Sequence, residues 1–149
     1  MKKTTQHIGS AGELLVQYKL LKFGIDSAAM TTDSGIDLVA YSPKSNRPFT
    51  IQVKTKEHPS KGGGAGKLSL AWDLRDSSPA ELIAVTDLST DGVWLFTYTE
   101  FEKYAQQHSE KGILKLYMYV DESVNTKKEM ALQSQFEPFR IESRVVTFF

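Results

Sequence analysis

The sequence predicts an α/β protein in which a central mixed β-sheet is flanked by helices. Three observations predict this class: a strong helix pattern near the N-terminus, several apolar runs with strand character after it, and further helical segments between them. A chain of 149 residues has the length of one ordinary domain, and we see neither an internal repeat nor a linker. We therefore assign residues 1–149 to a single domain.

The first predicted element is a helix over residues 9–24. Ser10 can cap its start, and Gly24 can adopt the left-handed conformation that ends many helices. Apolar residues recur at the 3-and-4 spacing of one buried face, with Leu15 alongside. The residues of this face are Leu14, Tyr18 and Leu21.

Strand patterns dominate the middle of the chain. β-Branched and aromatic residues are concentrated in runs that turn residues separate. The predicted strands are residues 25–31, a hairpin of 36–41 with 49–56, a second hairpin of 81–88 with 93–99, and 113–120. Residues 68–74 fit either a strand or a helical turn.

Three further segments remain to be assigned. Thr99 with Glu102 has the spacing of a capping box and predicts a helix through about His108. Residues 121–135 are polar and predict a loop or a short helix. Residues 136–149 predict one or two terminal strands, interrupted by a proline, that close the sheet or contribute to an interface.

Composition and charge restrict the function. The 18 basic residues balance the 18 acidic ones, so attraction to nucleic acid or membrane would have to come from a local patch. Cysteine is absent, which excludes disulfides and thiolate zinc sites, and the three histidines are scattered. No apolar run approaches the roughly 18 residues of a membrane span or resembles a secretory signal, so we expect a cytoplasmic protein.

The strand "FTIQVKTK" carries polar side chains on one of its faces. Gln52 and Lys54 point the same way, about 6.6 Å apart along the strand. Asp37 begins the preceding strand and would project beside them if the two strands pair. A helix packed on this sheet would bring Glu13 to the same place. Two carboxylates, an amide and an ammonium suit a magnesium site that acts on a phosphate.

Each of these residues also has a structural explanation. Glu13 can close a capping box with Ser10, because the S-x-x-E spacing is typical of helix starts. Asp37 can be a turn residue, although burying a carboxylate without a partner costs free energy. Lys54 can be a lysine that protects an edge strand against aggregation. The sequence alone leaves these alternatives open.

A glutamate in the first helix, then "GID", then a strand ending in "QVK" resembles the PD-(D/E)XK nuclease superfamily. The nearest pattern is that of the archaeal Holliday junction resolvase-like and restriction-endonuclease-like proteins, and the resemblance covers about residues 9–56. It implies a restriction-endonuclease-like fold and Mg²⁺- or Mn²⁺-dependent hydrolysis of DNA. Gln52 stands where the family has an acid, which lowers the negative charge of the site by one.

The resemblance also implies roles for individual residues. The implied metal ligands are Glu13, Asp37, Gln52 and the backbone carbonyl of Val53. Lys54 would be the catalytic lysine, and we expect Gln17, one helical turn after Glu13, to support the site indirectly. Resolvase-like proteins work as dimers, which implies a homodimer.

The glycine-rich segment 57–67 is predicted to be irregular, with four glycines between Lys61 and Lys67. These two lysines and Lys56 can contact phosphates, or they are solvated side chains of a loop. The neutral net charge and Gln52 favour an alternative function, a catalytically silent nuclease-fold module that binds nucleic acid or a protein.

Overall fold

The computed structural model describes residues 1–32, 34–62 and 66–149. Its helices are α1 (Thr5–Leu21), α2 (Tyr98–Tyr104), a 3₁₀ helix (Gln133–Phe139) and α3 (Ile141–Phe148). Its strands are β1 (Asp26–Ala29), β2 (Leu38–Ser42), β3 (Arg47–Lys56), β4 (Ser60–Lys61), β5 (Leu68–Arg75), β6 (Leu82–Asp87), β7 (Gly92–Thr97), β8 (Gln107–His108) and β9 (Ile113–Tyr119). Within these described ranges, no helix has both the length and the apolar character needed to cross a bilayer.

Two β-sheets organise the chain. The first has five strands in the order β1-β2-β3-β6-β7, and it is mixed because β3 and β6 are parallel while the other pairs are antiparallel. The second is antiparallel, in the order β4-β5-β9-β8. The predicted α/β class with a mixed central sheet and flanking helices is confirmed.

Strand β3 lies at the centre of this arrangement. On one side, α1 and α3 pack on the five-stranded sheet and bury Leu20, Ile51 and Val145 in one apolar cluster. On the other side, the second sheet and α2 enclose a cluster that contains Trp72 and Trp94. The two faces of β3 therefore meet different surroundings, which positions the site described below.

Helix α1 begins before the predicted start. Thr4 caps it: the Thr4 Oγ1 accepts a 3.2 Å hydrogen bond from the His7 backbone N–H, and the His7 Nδ1 accepts one of 3.0 Å from the Thr4 N–H. Ser10 therefore lies inside the helix, and the prediction that Ser10 caps it with Glu13 is wrong. The helix begins at the upstream cap because no residue between Thr4 and Ser10 interrupts it.

The face of α1 that packs on the sheet also differs from the prediction. Its buried residues are Gly12, Val16 and Leu20. The predicted stripe faces solvent, with Leu14, Tyr18 and Leu21 being 64, 53 and 59% exposed. Apolar residues lie on both sides of this helix, so periodicity could not choose between them. The close approach of Gly12 to Thr55 determines which face packs on the sheet, since a Cβ at Gly12 would lie 1.8 Å from the Thr55 Oγ1.

The ambiguous segment 68–74 is strand, within β5. Strand β4 lies in the segment predicted to be irregular, because Ser60 and Lys61 find pairing partners in β5 that local composition could not reveal. Residues 63–65 of the glycine-rich prediction lie outside the described residues.

The predictions for the second half of the chain need three corrections. The predicted helix ends at Tyr104 and does not reach His108, because Gln107 and His108 pair with β9 as strand β8. Helix α2 is capped by Thr97 with Glu100, which has the same spacing as the predicted pair Thr99 and Glu102. Thr97 caps the helix instead of Thr99 because β7 stops pairing with β6 at Thr97. Residues 136–149 form the end of the 3₁₀ helix and α3 instead of strands, with Ile141 and Val145 buried one helical turn apart.

Candidate functional site

A cleft of about 290 Å³ opens between the N-terminal half of α1 and the segment that leads into β2. Glu13 from α1 and Asp37 from that segment both line it, and both side chains are half-buried. Polar groups complete much of the lining: Gln6, Ser10, Thr31 and Thr32. The fold therefore brings the two carboxylates to one solvent-open cleft, although they are far apart in the sequence.

The Asp37 carboxylate is held against β3. Its Oδ2 accepts a 2.7 Å hydrogen bond from the Val53 backbone N–H. The Asp37 backbone N–H in turn donates to the Ile51 carbonyl at 2.9 Å. Since Val53 lies between Gln52 and Lys54 in the chain, this hydrogen bond places Asp37 beside the part of β3 that carries both.

Both backbone conformation and available space favour glycine at the first position of "GID". Gly35 has a φ of +88°, in the left-handed region that favours glycine. A Cβ at this position would also lie 2.8 Å from the Cδ of Pro79. The segment 34–37 can therefore pass close to Pro79 on its way into β2.

A pocket of about 350 Å³ adjoins the cleft. Gln52 and Lys54 line it from β3, and Arg75 enters from the end of β5. The Gln52 Oε1 accepts a 2.5 Å hydrogen bond from the Ser78 Oγ. The remaining lining residues are Ser34, Gly35, Ser77 and Pro79. The pocket thus contains two cationic side chains and several hydrogen-bonding groups.

The four predicted residues therefore fall into two adjacent groups, with the carboxylates in the cleft and the amide and ammonium in the pocket. The segment 34–37 contributes to both, and the bond from Asp37 to Val53 connects them. In the described ranges, no three His, Asp or Glu side chains form a group suited to a metal ion. A divalent cation here would take amide, backbone and water oxygens in addition to the two carboxylates, which magnesium accepts.

Gln17 lies outside both groups. Its Nε2 donates a 3.4 Å hydrogen bond to the Ser27 backbone carbonyl, so it joins α1 to β1.

The three predicted nucleic-acid-binding lysines are exposed. Lys56 ends β3, Lys61 ends β4, and Lys67 directly precedes β5. Lys61 pairs with Leu68, at the start of β5, whereas Arg75 ends that strand. Seven strand rises, about 24 Å, separate those two ends of β5, so Lys61 lies far from the pocket.

Sequence reasoning missed Arg75 and Ser78. The available signal was "RDSSP", a basic residue followed by a turn-forming cluster directly after an apolar strand. Its proximity to β3 depends on how the two sheets pack, and local sequence does not specify that packing.

No protein family matches the chain, and no curated protein matches it in sequence. In structure, the chain is similar to a bacterial homing endonuclease, I-Ssp6803I, with a TM-score of 0.65 at 16% sequence identity. The match covers 97% of this chain and 92% of the other. At this identity the similarity shows that the two chains share a fold.

Proposed function

We propose that residues 1–149 form one domain that hydrolyses phosphodiester bonds in DNA as a metal-dependent endonuclease. One observation carries this proposal: Glu13 and Asp37 line a common cleft, and Asp37 bonds to β3 between Gln52 and Lys54. The fold that the chain shares with a homing endonuclease supports the same class of activity. The order of the helical glutamate, "GID" and "QVK" supports membership of the PD-(D/E)XK superfamily.

Magnesium, or manganese in its place, is the cofactor that we propose. Its ligands would be oxygens of Glu13, Asp37, Gln52 and the Val53 backbone carbonyl. This donor set fits, because proteins bind Mg²⁺ through one or two carboxylates and leave other positions to water and substrate phosphate. The Gln52 oxygen has two lone pairs, and the Ser78 hydroxyl engages one of them. When bound, the ion would stabilise charge on the phosphate and favour ionisation of the attacking water.

The pocket residues would act on the substrate directly. The Lys54 ammonium has three N–H donors, with which it would orient the attacking water and stabilise negative charge that grows on the phosphate. Arg75 lines the same pocket, and its planar guanidinium would bind two phosphate oxygens at once. The bond from Val53 to Asp37 would keep the carboxylate at a fixed position relative to Lys54.

DNA contacts would extend beyond the site. The lysines that we propose for them are Lys56, Lys61 and Lys67, all exposed. A duplex lying along β5 would reach both Arg75 at one end and Lys61 and Lys67 at the other, since about 24 Å is several nucleotides of backbone. The resemblance to resolvase-like proteins supports a homodimer, in which two sites would act on two strands.

A catalytically silent nuclease-fold module that binds nucleic acid or a protein is the second candidate. The hydrogen bond from Ser78 to Gln52 favours it, because an amide held in this way provides less negative charge for a metal than a carboxylate.

Cleavage assays separate the two candidates. Plasmid, single-stranded and branched DNA are incubated with the protein and Mg²⁺ or Mn²⁺, and we expect cleavage of at least one substrate. Lys54→Ala and Asp37→Ala should each lower the rate by about 100-fold. Lys44→Ala, on the exposed β2–β3 turn, is the matched control and should leave the rate unchanged. Cleavage that survives both site substitutions would overturn the site, and binding without cleavage under every condition would favour the silent module.

A further inference from the structure

The pocket beside the cleft brings together two cationic side chains. Lys54 enters it from β3 and Arg75 from the end of β5. Neither forms an ion pair with another residue of the described ranges, and no described residue of the lining is acidic. Glu13 and Asp37 line the adjoining cleft instead. Since two like charges in one pocket repel each other, the pocket is electrostatically suited to an anion.

Uncharged hydrogen-bond donors line the same pocket. Ser34 and Ser77 contribute hydroxyl groups, and Gln52 contributes its amide. The Ser78 hydroxyl donates to the Gln52 Oε1, which leaves the Nε2 with its two N–H groups as the other polar atom of that amide. Charged, amide and hydroxyl donors together are the groups with which proteins bind phosphate oxygens.

The turn that carries Arg75 and Ser78 is held in place by the surrounding elements. Within the turn, the Ser78 backbone N–H donates to the Arg75 carbonyl at 3.0 Å. The Asp76 N–H donates to the Gly112 carbonyl at 2.9 Å, and the Asp76 carbonyl accepts a 2.5 Å hydrogen bond from the Tyr98 hydroxyl. The wall of the pocket is therefore formed before a ligand arrives, which lowers the entropic cost of binding.

We propose that this pocket binds a terminal phosphate, a phosphomonoester at the end of a nucleic-acid strand, without the help of a metal. A phosphodiester carries one negative charge, whereas a phosphomonoester carries about 1.5 to 2 at pH 7. The charges of Lys54 and Arg75 therefore match a monoester and exceed the charge of a diester.

This inference rests on the proposed function for the nucleic acid, and it names the feature of the strand that the protein recognises. The adjoining cleft would hold the bond to be hydrolysed, so cleavage would fall close to a phosphorylated end. The three N–H groups of Lys54 allow it to contact the terminal phosphate and the attacking water together.

Calorimetric titration in EDTA tests recognition of the terminal phosphate separately from cleavage. One single-stranded oligonucleotide is compared in three forms, with a 5′-phosphate, with a 3′-phosphate and with neither. We expect one phosphorylated form to bind at least about tenfold more tightly than the unphosphorylated one, since hydrogen bonds to charged groups are strong. Inorganic phosphate should compete with it. The form that is preferred identifies the end, and equal affinity for all three forms would overturn the inference.

Substitution of Arg75 locates the bound phosphate. Arg75→Ala should reduce the preference for the phosphorylated form to less than about twofold, because it removes one of the two cations of the pocket. Lys44→Ala removes a cation on the exposed β2–β3 turn and should leave the preference unchanged. Thermal unfolding confirms that both variants are folded. A preference that survives Arg75→Ala would place the phosphate outside this pocket and overturn the inference.

Gln52→Glu tests the donor role of the amide. A carboxylate in place of the amide would repel a phosphate, so binding of the phosphorylated form should weaken at least about tenfold. Gln107→Glu, on exposed β8, adds the same charge outside the pocket and should have little effect. Equal binding by Gln52→Glu and the wild-type protein would overturn the inference. Preference for a phosphorylated end without cleavage would count only against the nuclease, and cleavage without that preference only against this inference.

Discussion

The Asp37 carboxylate accepts a 2.7 Å hydrogen bond from the Val53 backbone N–H, so one side chain serves both the fold and the candidate site. This relationship joins the segment before β2 to the middle of β3. It also means that substitutions of Asp37 affect stability and activity for separate reasons, which different replacements can distinguish.

Asp37→Ala and Asp37→Asn should differ in stability but not in activity. Alanine leaves the partly buried Val53 N–H without its acceptor, which should lower the free energy of unfolding by about 1–3 kcal/mol. Asparagine retains an acceptor oxygen and should cost less, yet it lacks the negative charge for a metal. Both should lower cleavage by about 100-fold. Urea unfolding and plasmid cleavage measure the two effects, and wild-type stability of the alanine variant would contradict the first.

Gln52→Glu should strengthen binding of divalent cations. The new carboxylate can still accept the hydrogen bond from Ser78, and it adds one negative charge to the proposed ligand set. Since ligand charge tunes metal affinity, we expect about tenfold tighter binding of Mn²⁺ in calorimetric titration. Gln107→Glu adds the same charge on exposed β8 and should leave Mn²⁺ binding unchanged. An equal gain in both variants would point to a general charge effect.

Arg75→Ala should impair cleavage with little effect on stability, because Arg75 is exposed at the end of β5. We expect a 10- to 100-fold loss, of about the size that one charged contact to a phosphate contributes. Arg75→Lys should recover only part of it, since lysine lacks the two-pronged geometry of the guanidinium. The exposed Lys111→Ala is the control. Full activity of Arg75→Ala would remove this residue from the proposed mechanism.

Two glycines of α1 should respond to alanine in opposite directions. A Cβ at Gly12 would lie 1.8 Å from the Thr55 Oγ1, so Gly12→Ala should force α1 away from β3 and cost about 1–3 kcal/mol. Gly9 has nothing within 4 Å of the corresponding position, and Gly9→Ala should stabilise the helix by about 0.5–1 kcal/mol. Thermal unfolding of both variants measures this contrast. Equal effects on stability would mean that the contact with Thr55 does not restrict the size of the residue at position 12.

The ion pair between Lys19 and Glu142 should make stability depend on pH. Partial burial of Glu142 is the largest single effect and opposes its ionisation, but the hydrogen bond from Lys19, a backbone hydrogen bond and the charges of Lys19 and Arg140 together hold the pKa of the carboxyl below its ordinary value of 4.5. The resulting stabilisation is present above that value and is lost as the pH falls through the lower pKa of the folded state. Glu142→Gln should therefore cost at most about 1 kcal/mol at pH 7, because the pair is partly exposed.

A matched control for this pH dependence is Glu110→Gln, at an exposed position where no ion pair is formed among the described residues. The difference between Glu142→Gln and the wild-type protein should shrink as the solution is acidified, whereas the control should follow the wild-type curve throughout. A difference that stays constant down to acidic pH would mean that packing, and not charge, is responsible.

The strands were predictable because their signal is local. The hairpins of β2 with β3 and of β6 with β7 combine β-branched runs with turn residues, and both form as predicted. The contacting face of α1 was not predictable, since Leu14 and Val16 lie on opposite sides of the helix and are equally apolar. The choice between them depends on Gly12 meeting Thr55, a contact between distant parts of the chain.

The candidate site was predictable in its members but not in its layout. The spacing of Gln52 and Lys54 on one face of β3 follows from strand geometry. Their separation from Glu13 into a neighbouring pocket, and the presence of Arg75 there, depend on how the second sheet packs against the first. No short stretch of sequence encodes that packing.

Side chains of β3 alternate between the two faces of the sheet, and this alternation determines what an error in strand register would do to the candidate site. Ile51 points beneath α1, while Gln52 and Lys54 point into the pocket. A shift of the strand by one residue would exchange the two faces. The Lys54 ammonium would then enter the apolar cluster beneath α1, and an aliphatic side chain would occupy the pocket. The register of β3 and the assembly of the polar pocket are therefore coupled. A molecule with the wrong register would lack the candidate site altogether and would not retain a partly formed one.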